Sequence, residues 1–156
     1  MVEGRGLYAE HEASSELGQA MRETLSSGDH RVVLTASMLS PLSSERMRAY
    51  NDEGEFEGPE GRFNSVRIPI EVTIALEKLR SASYRDGVGT WFGVVAQVLP
   101  DGQFTTEYDY DNEPAWPHPI DPVTYVNDLK RFPREEQHRP AWLKQKIAEA
   151  EVASGA

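Results

Sequence analysis

The stretch that decides the fold is Thr90-Trp-Phe-Gly-Val-Val-Ala-Gln-Val-Leu99, followed by Pro100-Asp-Gly102 and by Gln103-Phe-Thr-Thr-Glu-Tyr-Asp-Tyr-Asp111. β-Branched and aromatic residues fill the first arm, and the glycine supplies the positive φ that a short turn needs. Apolar and polar residues alternate along the second arm, so one of its faces is built for burial. The buried face would carry Phe104, Thr106, Tyr108 and Tyr110. The stretch therefore predicts a β-hairpin.

The first arm of this hairpin is apolar on both faces, which predicts a strand in the interior of a sheet. Helical spacing of apolar residues, together with Pro at helix starts, predicts four helices around it. The predicted helices lie at 12–26, 72–83, 122–129 and from 140 onward, and two further strands lie at 31–39 and 45–50. The strand at 45–50 is the more polar, so we expect it at an edge. Helices interspersed with antiparallel strands predict one α+β domain over residues 1–156, with helices packed over one face of the sheet.

Charge and composition limit the classes of partner. The chain has 156 residues, no cysteine, and 26 acidic against 16 basic residues, giving a net charge of −10. Such a surplus argues against binding nucleic acid or an anionic membrane, and it suits either solubility or a basic partner. The absence of cysteine fits a reducing compartment, so we expect the protein in the cytoplasm. We expect no cofactor.

An acidic, glycine-rich segment occupies residues 51–61. Its sequence, Asn-Asp-Glu-Gly-Glu-Phe-Glu-Gly-Pro-Glu-Gly, buries too little apolar surface to order itself, which predicts a flexible loop. Phe56 is the one aromatic residue within it. This side chain could either anchor the loop to the domain or remain outside for a partner. At the other end of the chain we expect residues 152–156 to fray.

A second acidic group lies just after the hairpin. Asp109, Asp111 and Glu113 would share one side if the strand continued through them, either as a solvated edge or as a docking surface for Lys or Arg. A calcium loop is not indicated, because Pro114 stands where its sharp turn needs glycine. The same three carboxylates with His118 could form a metal-assisted hydrolase site, which we keep as an alternative. The sequence predicts no catalytic residue and no metal site as the main hypothesis.

The three tryptophans call for separate predictions. Trp91 and Trp142 begin predicted elements, where an aromatic residue commonly closes the core. Trp116 lies in a proline-rich strap, residues 113–122, directly after the acidic group. It could either pin the strap to the sheet or act as an interface residue, a role for which tryptophan is enriched.

The order of these features resembles the YezG-like family of polymorphic-toxin immunity proteins. There a Gly-x-Phe strand runs into an acidic and aromatic tail closed by Trp, similar to Gly102-Gln-Phe-Thr-Thr-Glu-Tyr-Asp-Tyr-Asp-Asn-Glu-Pro-Ala-Trp116. Pro122-Val-Thr-Tyr125 and Asp128-Leu-Lys-Arg-Phe-Pro133 are similar to the next segments of actinobacterial relatives, some of which guard against NAD-degrading toxins. The resemblance covers about the C-terminal half. It implies an immunity protein (antitoxin) that binds a cognate bacterial toxin, with an NAD glycohydrolase as candidate, and blocks its active site.

Our main functional hypothesis is this stoichiometric inhibitor docking on a basic cleft of the toxin. The metal-assisted hydrolase and a non-catalytic adaptor protein remain the alternatives. We expect the segment at 51–61 to insert into the cleft and the hairpin end to support it. The predicted toxin-binding residues are Asp52, Glu53, Glu55, Phe56, Glu57, Asp109, Tyr110, Asp111, Glu113 and Trp116.

Overall fold

The computed structural model describes residues 5–155 and confirms the α+β class. Within that range it contains four α-helices and one six-stranded antiparallel sheet. The helices are α1 (Leu7–Arg22), α2 (Ile70–Ala82), α3 (Pro122–Arg131) and α4 (Ala141–Gly155). The strands are β1 (Arg31–Met38), β2 (Ser43–Tyr50), β3 (Phe56–Gly58), β4 (Gly61–Val66), β5 (Gly93–Val98) and β6 (Phe104–Asp109).

The predicted hairpin is β5–β6. Gly102 has a φ of 90°, the left-handed conformation that the turn requires, and the Leu99 N–H donates to the Gln103 carbonyl at 2.9 Å. The strand order is β3-β4-β2-β1-β5-β6. The first arm, β5, therefore lies inside the sheet as predicted, and β6 forms one edge. Because β6 has a neighbour on one side only, its inner face is half-buried.

The prediction that the second strand forms an edge is wrong. β2 pairs with β1 on one side and with β4 on the other. Its polar character has a different cause: Met47 and Ala49 face the core, while Arg46 and Arg48 face away from it. Alternation along a strand reports which face meets solvent, and strand order depends on partners elsewhere in the chain.

The prediction of a flexible loop at 51–61 is also wrong. Residues 56–58 pair with residues 61–63 as the β3–β4 hairpin. The Phe56 ring stacks on Phe63 with 5.5 Å between centroids, and the Arg62 Nε donates to the Gly54 carbonyl at 2.9 Å. Gly54 lies so close to the backbone of residues 62–63 that no side chain fits there. Phe63, the apolar residue that orders the segment, lies outside residues 51–61. A prediction from the composition of those residues alone therefore missed it.

The main core lies between α1, α2 and one face of the sheet, which we call the inner face. Its side chains include Leu17 and Met21 from α1, Val72, Leu76 and Leu79 from α2, and Val32, Leu34, Val94 and Val98 from the strands. The stripe predicted for α2 is confirmed. α1 begins at Leu7 and ends at Arg22, earlier than the predicted 12–26, because residues 23–30 turn into β1.

A second, smaller core closes the end of the sheet where β1 finishes and β5 begins. Leu39 and Phe92 meet Tyr125 of α3 and Leu143 of α4 there. α3 starts as predicted, with the Asp121 carboxylate accepting from the Val123 N–H at 3.1 Å, and it runs two residues beyond the predicted end.

The C-terminal helix is longer than expected. α4 continues through Gly155, so the prediction of a frayed tail is wrong for residues 152–155, and residue 156 lies outside the described range. The run Ala148-Glu-Ala-Glu-Val-Ala153 contains no helix breaker, which explains the extension. None of the helices in residues 5–155 combines the length and apolarity that crossing a bilayer requires.

Candidate functional site

The face of the sheet opposite α1 and α2, here called the outer face, is open to solvent. Along β5, Val94 points to the inner face and is 2% exposed, whereas its neighbour Val95 on the outer face is 42% exposed. Thr105 and Glu107 of β6 are exposed on the same side. The proline-rich strap touches one end of this face, where the Ser37 hydroxyl donates to the Ala115 carbonyl at 3.3 Å. The outer face is therefore a broad accessible surface.

Three arginines follow one another along the two central strands of the outer face, with Arg48 between Arg46 and Arg31. Arg48 is paired with Val33, Arg46 with Thr35, and Arg31 with Tyr50 in the β1–β2 register. Together they line a depression of about 410 Å³ that we call the arginine depression. Its floor includes Val33, Thr35, Val95 and Gln97.

Aromatic rings support two of the arginines. The Arg31 Cζ lies 4.3 Å from the Tyr50 ring centroid, and the Arg48 Cζ lies 4.0 Å from that of Phe63. Tyr50 packs on Phe63 at 5.7 Å, and Phe63 on Phe56 at 5.5 Å. Because the guanidinium planes cover them, Tyr50 and Phe63 are buried even though they lie on the open side. The stacking restricts both arginines to a small set of orientations.

These arginines lack carboxylate partners. None of the ion pairs within residues 5–155 involves Arg31, Arg46 or Arg48. Among residues 5–155, the Arg31 side chain donates to the Gln97 amide oxygen at 3.3 Å and to the Glu60 carbonyl at 3.4 Å, and to no carboxylate. The chain has ten more acidic than basic residues, so the lack of partners does not reflect a shortage of carboxylates. A positive surface therefore persists in an acidic protein.

Acidic side chains border the depression on opposite sides. Glu60, from the β3–β4 turn, accepts a hydrogen bond from the Tyr50 hydroxyl at 3.3 Å. Glu107 of the edge strand β6 lies across the sheet from it, and both residues line the arginine depression. Across the strands the charge therefore changes from negative to positive and back to negative.

The acidic residues predicted at 52–57 lie on the β3 side of the sheet. Asp52 contacts the His30 ring at 2.9 Å, and Glu57 pairs with Arg62 across the β3–β4 hairpin. Glu53 and Glu55 take part in no ion pair within the described part of the chain. The Phe56 ring is 45% exposed while it stacks on Phe63, so it both anchors the hairpin and offers apolar surface.

The predicted carboxylates after β6 do not share one side. β6 ends at Asp109, whose carboxylate accepts from the backbone N–H groups of Asn112 at 2.9 Å and Asp111 at 3.1 Å. The Asn112 backbone N–H, followed by the Asn112 side-chain amide, lowers the pKa of Asp109 from its ordinary value. The chain bends after Asp109, and Glu113 approaches Lys146 at 3.5 Å instead. The predicted alignment of Asp109, Asp111 and Glu113 is therefore wrong.

The aromatic residues of this region tie it to the domain. The Trp116 Nε1 donates to the Tyr125 hydroxyl at 3.0 Å, and the Trp142 Nε1 donates to the Asp111 carbonyl at 2.7 Å. Tyr110 is half-buried, burial raises the pKa of its phenol, and its carbonyl accepts from Arg134 at 2.7 Å. Trp91 belongs to the main core, as predicted, and is fully buried rather than half-buried. The geometry of Trp116 favours the anchoring alternative.

The structure gives the metal-assisted alternative no converging ligands. Across residues 5–155, no three His, Asp or Glu side chains come together in a way that could hold a metal ion. His118 is exposed on the strap, and its predicted companions Asp109 and Glu113 are engaged by Asn112 and Lys146.

The two predicted segments lie at opposite edges of one sheet. β3 and β6 are separated by five strand spacings, or about 24 Å. The arginines between them were missed because the prediction treated charge as a sum over the whole chain. A signal was present: arginine alternates with an apolar residue in Arg46-Met-Arg48, which is typical of a strand with one open, basic face.

A scan against protein-family models and a search of curated proteins both found no match to this chain.

Proposed function

We propose that this protein is an immunity protein that binds a cognate bacterial toxin in the cytoplasm and blocks its active site, with an NAD glycohydrolase as the candidate target. The observation that carries the proposal is the position of the two predicted segments. They border the same outer face, so a partner that contacts both must cover that face.

The size of the outer face suits such a partner. Six strands of about six residues span about 24 by 20 Å, a projected area of about 480 Å², and the β3–β4 hairpin and the strap at its borders extend this area toward the roughly 800 Å² that each side of a standard protein interface buries. Arginine and aromatic residues are the types enriched at the energetic centres of interfaces, and here Arg48, Tyr50 and Phe56 lie together. This combination of residue types is more typical of a surface that binds a protein than of a catalytic site.

The mechanism that we propose is steric. In a toxin bound across the outer face, the β3–β4 hairpin would block the cleft. Glu53, Glu55 and Phe56 would be the first residues to enter it. The net charge of −10 would accelerate encounter with a basic cleft, so association should slow as salt is added.

The proposal is tested by expressing the protein with the toxin domain encoded by the adjacent gene. We expect restored growth, co-purification of the two chains, and loss of nicotinamide release from NAD at a one-to-one molar ratio. Retained NAD cleavage in a stable complex would remove the NAD glycohydrolase as target and keep the immunity function. If the protein neither protects cells nor binds, the immunity proposal is wrong, and the adaptor alternative takes its place.

A further inference from the structure

We propose that the arginine depression receives an acidic ridge of the toxin, with Asp or Glu side chains at its crest and basic residues on both flanks. This inference rests on the proposed function and names the partner chemistry at the same face. It differs from the expectation of a purely basic target, because the centre of the surface is positive and only its borders are negative.

The spacing of the arginines is the first argument. Arg46 and Arg48 lie two residues apart on one face of β2, hence about 6.6 Å apart along the strand. Arg31 lies diagonally across from Arg48 on β1. Like charges so close repel one another, and no carboxylate in the described residues lies between them. An anionic group placed among the three would turn that repulsion into attraction.

The preorganisation of the arginines is the second argument. Arg31 and Arg48 are stacked on Tyr50 and Phe63, so little side-chain entropy remains to be lost when they bind. The Arg48 guanidinium makes no hydrogen bond within the described part of the chain, which leaves its planar fork of N–H donors available. A carboxylate matches this fork in a bidentate manner.

The surroundings favour a polypeptide over a small anion or a nucleic acid. Val33 and Val95 form an apolar part of the floor, which suits the mixed side chains of a protein ridge. Glu60 and Glu107 on the two sides would repel any ligand whose negative charge extends across the sheet, as a nucleic acid strand does. The same two glutamates would attract basic flanks beside an acidic crest.

The inference is tested by charge reversal on the outer face. Arg46→Glu is the cleanest single change, because Arg46 is exposed and forms no ion pair within residues 5–155. Arg46→Glu with Arg48→Glu removes two of the three positive groups. The matched control is Lys130→Glu with Lys144→Glu, which makes the same charge change on exposed positions of α3 and α4.

Affinity is measured against a catalytically inactive form of the neighbouring toxin domain, after circular dichroism has shown that each variant is folded. We expect Arg46→Glu to weaken binding by about tenfold and the double variant by about 100-fold, with the control within about twofold of the wild type. Glu107→Lys should also weaken binding, because it removes attraction for a basic flank.

The outcomes separate this inference from the proposed function. If the wild type binds and the folded arginine double variant binds equally well, the acidic ridge is excluded and the immunity function stands. If the wild type neither binds nor protects, the immunity function itself fails. If inorganic phosphate alone, at constant ionic strength, binds the wild type but not the arginine double variant while that variant still binds the toxin, the depression is a small-anion site, and the inference is wrong.

Discussion

Arg80 and Asp128 form a buried, two-pronged ion pair that joins α2 to α3. The Arg80 Nη1 lies 2.6 Å from the Asp128 Oδ1 and the Nη2 lies 2.9 Å from the Oδ2, and both side chains are 3% exposed. The pair also contacts the backbone just before β5 and just after β1, because the Arg80 Nε donates to the Trp91 carbonyl and the Asp128 carboxylate accepts from the Ser40 N–H. The two cores are thereby linked.

Removing one partner of this pair should destabilise the domain strongly. Asp128→Ala leaves a buried guanidinium without its counter-charge, which typically costs about 3–5 kcal/mol in the free energy of unfolding. Urea denaturation measures the change. The control is Glu16→Ala, which removes the solvent-exposed Lys78–Glu16 pair and should change stability by less than about 1 kcal/mol. Equal effects of the two changes would show that the buried pair is not a structural link.

The β3–β4 hairpin depends on a glycine that touches its neighbour's backbone. Gly54→Ala would force a methyl group into the backbone of Arg62 and Phe63, so we expect a loss of about 1–3 kcal/mol. Hydrogen exchange at residues 56–63 should accelerate, because the β3–β4 pairing is what the methyl group disturbs. Gly155→Ala is the control, since nothing lies within contact distance there. Unchanged exchange in Gly54→Ala would contradict this account of the hairpin.

The hydrogen bond from Trp116 to Tyr125 should anchor the strap. Trp116→Phe and Tyr125→Phe each remove it, and each should cost about 0.5–1.5 kcal/mol beyond any loss of packing. The double variant should cost less than the sum of the single changes, because both remove the same bond. Strict additivity in thermal or urea denaturation would mean that the two side chains act independently.

Asp109 should make the stability of the domain pH-dependent in a defined direction. Its pKa is lowered by the Asn112 N–H and amide, so the folded protein favours the carboxylate. The stabilising contribution is therefore present above the ordinary Asp pKa and is lost as the pH falls through the lower, folded-state pKa. The stability difference between wild type and Asp109→Asn should shrink on acidification over this range. An NMR titration in which Asp109 has an ordinary midpoint would exclude this explanation.

The acidic side of the β3–β4 hairpin should affect toxin binding without affecting the fold. Glu53→Ala with Glu55→Ala removes two side chains that form no ion pair in residues 5–155, so stability should remain within about 0.5 kcal/mol of the wild type. We expect affinity for the toxin to fall at least about tenfold, or about 1.4 kcal/mol. Glu12→Ala with Glu151→Ala removes the same charge elsewhere and should have little effect. If both double variants lost the same amount of toxin affinity, the hairpin would contribute to binding only through its charge.

Local patterns in the sequence predicted several elements correctly. The turn at Gly102, the buried stripe of α2 and the Asp121 cap of α3 each depend on residues within one or two turns of each other. The backbone conformations that glycine, proline and capping carboxylates favour are local properties, so they can be read without knowing the fold. Alternation along β6 likewise predicted which of its residues would face the core.

Contacts distant in sequence decided the rest. The place of β2 inside the sheet requires β4 as a neighbour, and the ion pair between Arg80 and Asp128 joins residues 48 positions apart. The arginine depression exists because pairing of β1 with β2 places Arg31 beside Arg48. The sequence by itself determined the four helices, four of the six strands and the net charge of −10, since these follow from residue types and their spacing. Only the tertiary structure decided strand order and where like charges gather, because hydrogen bonding between strands sets which residues become neighbours in space.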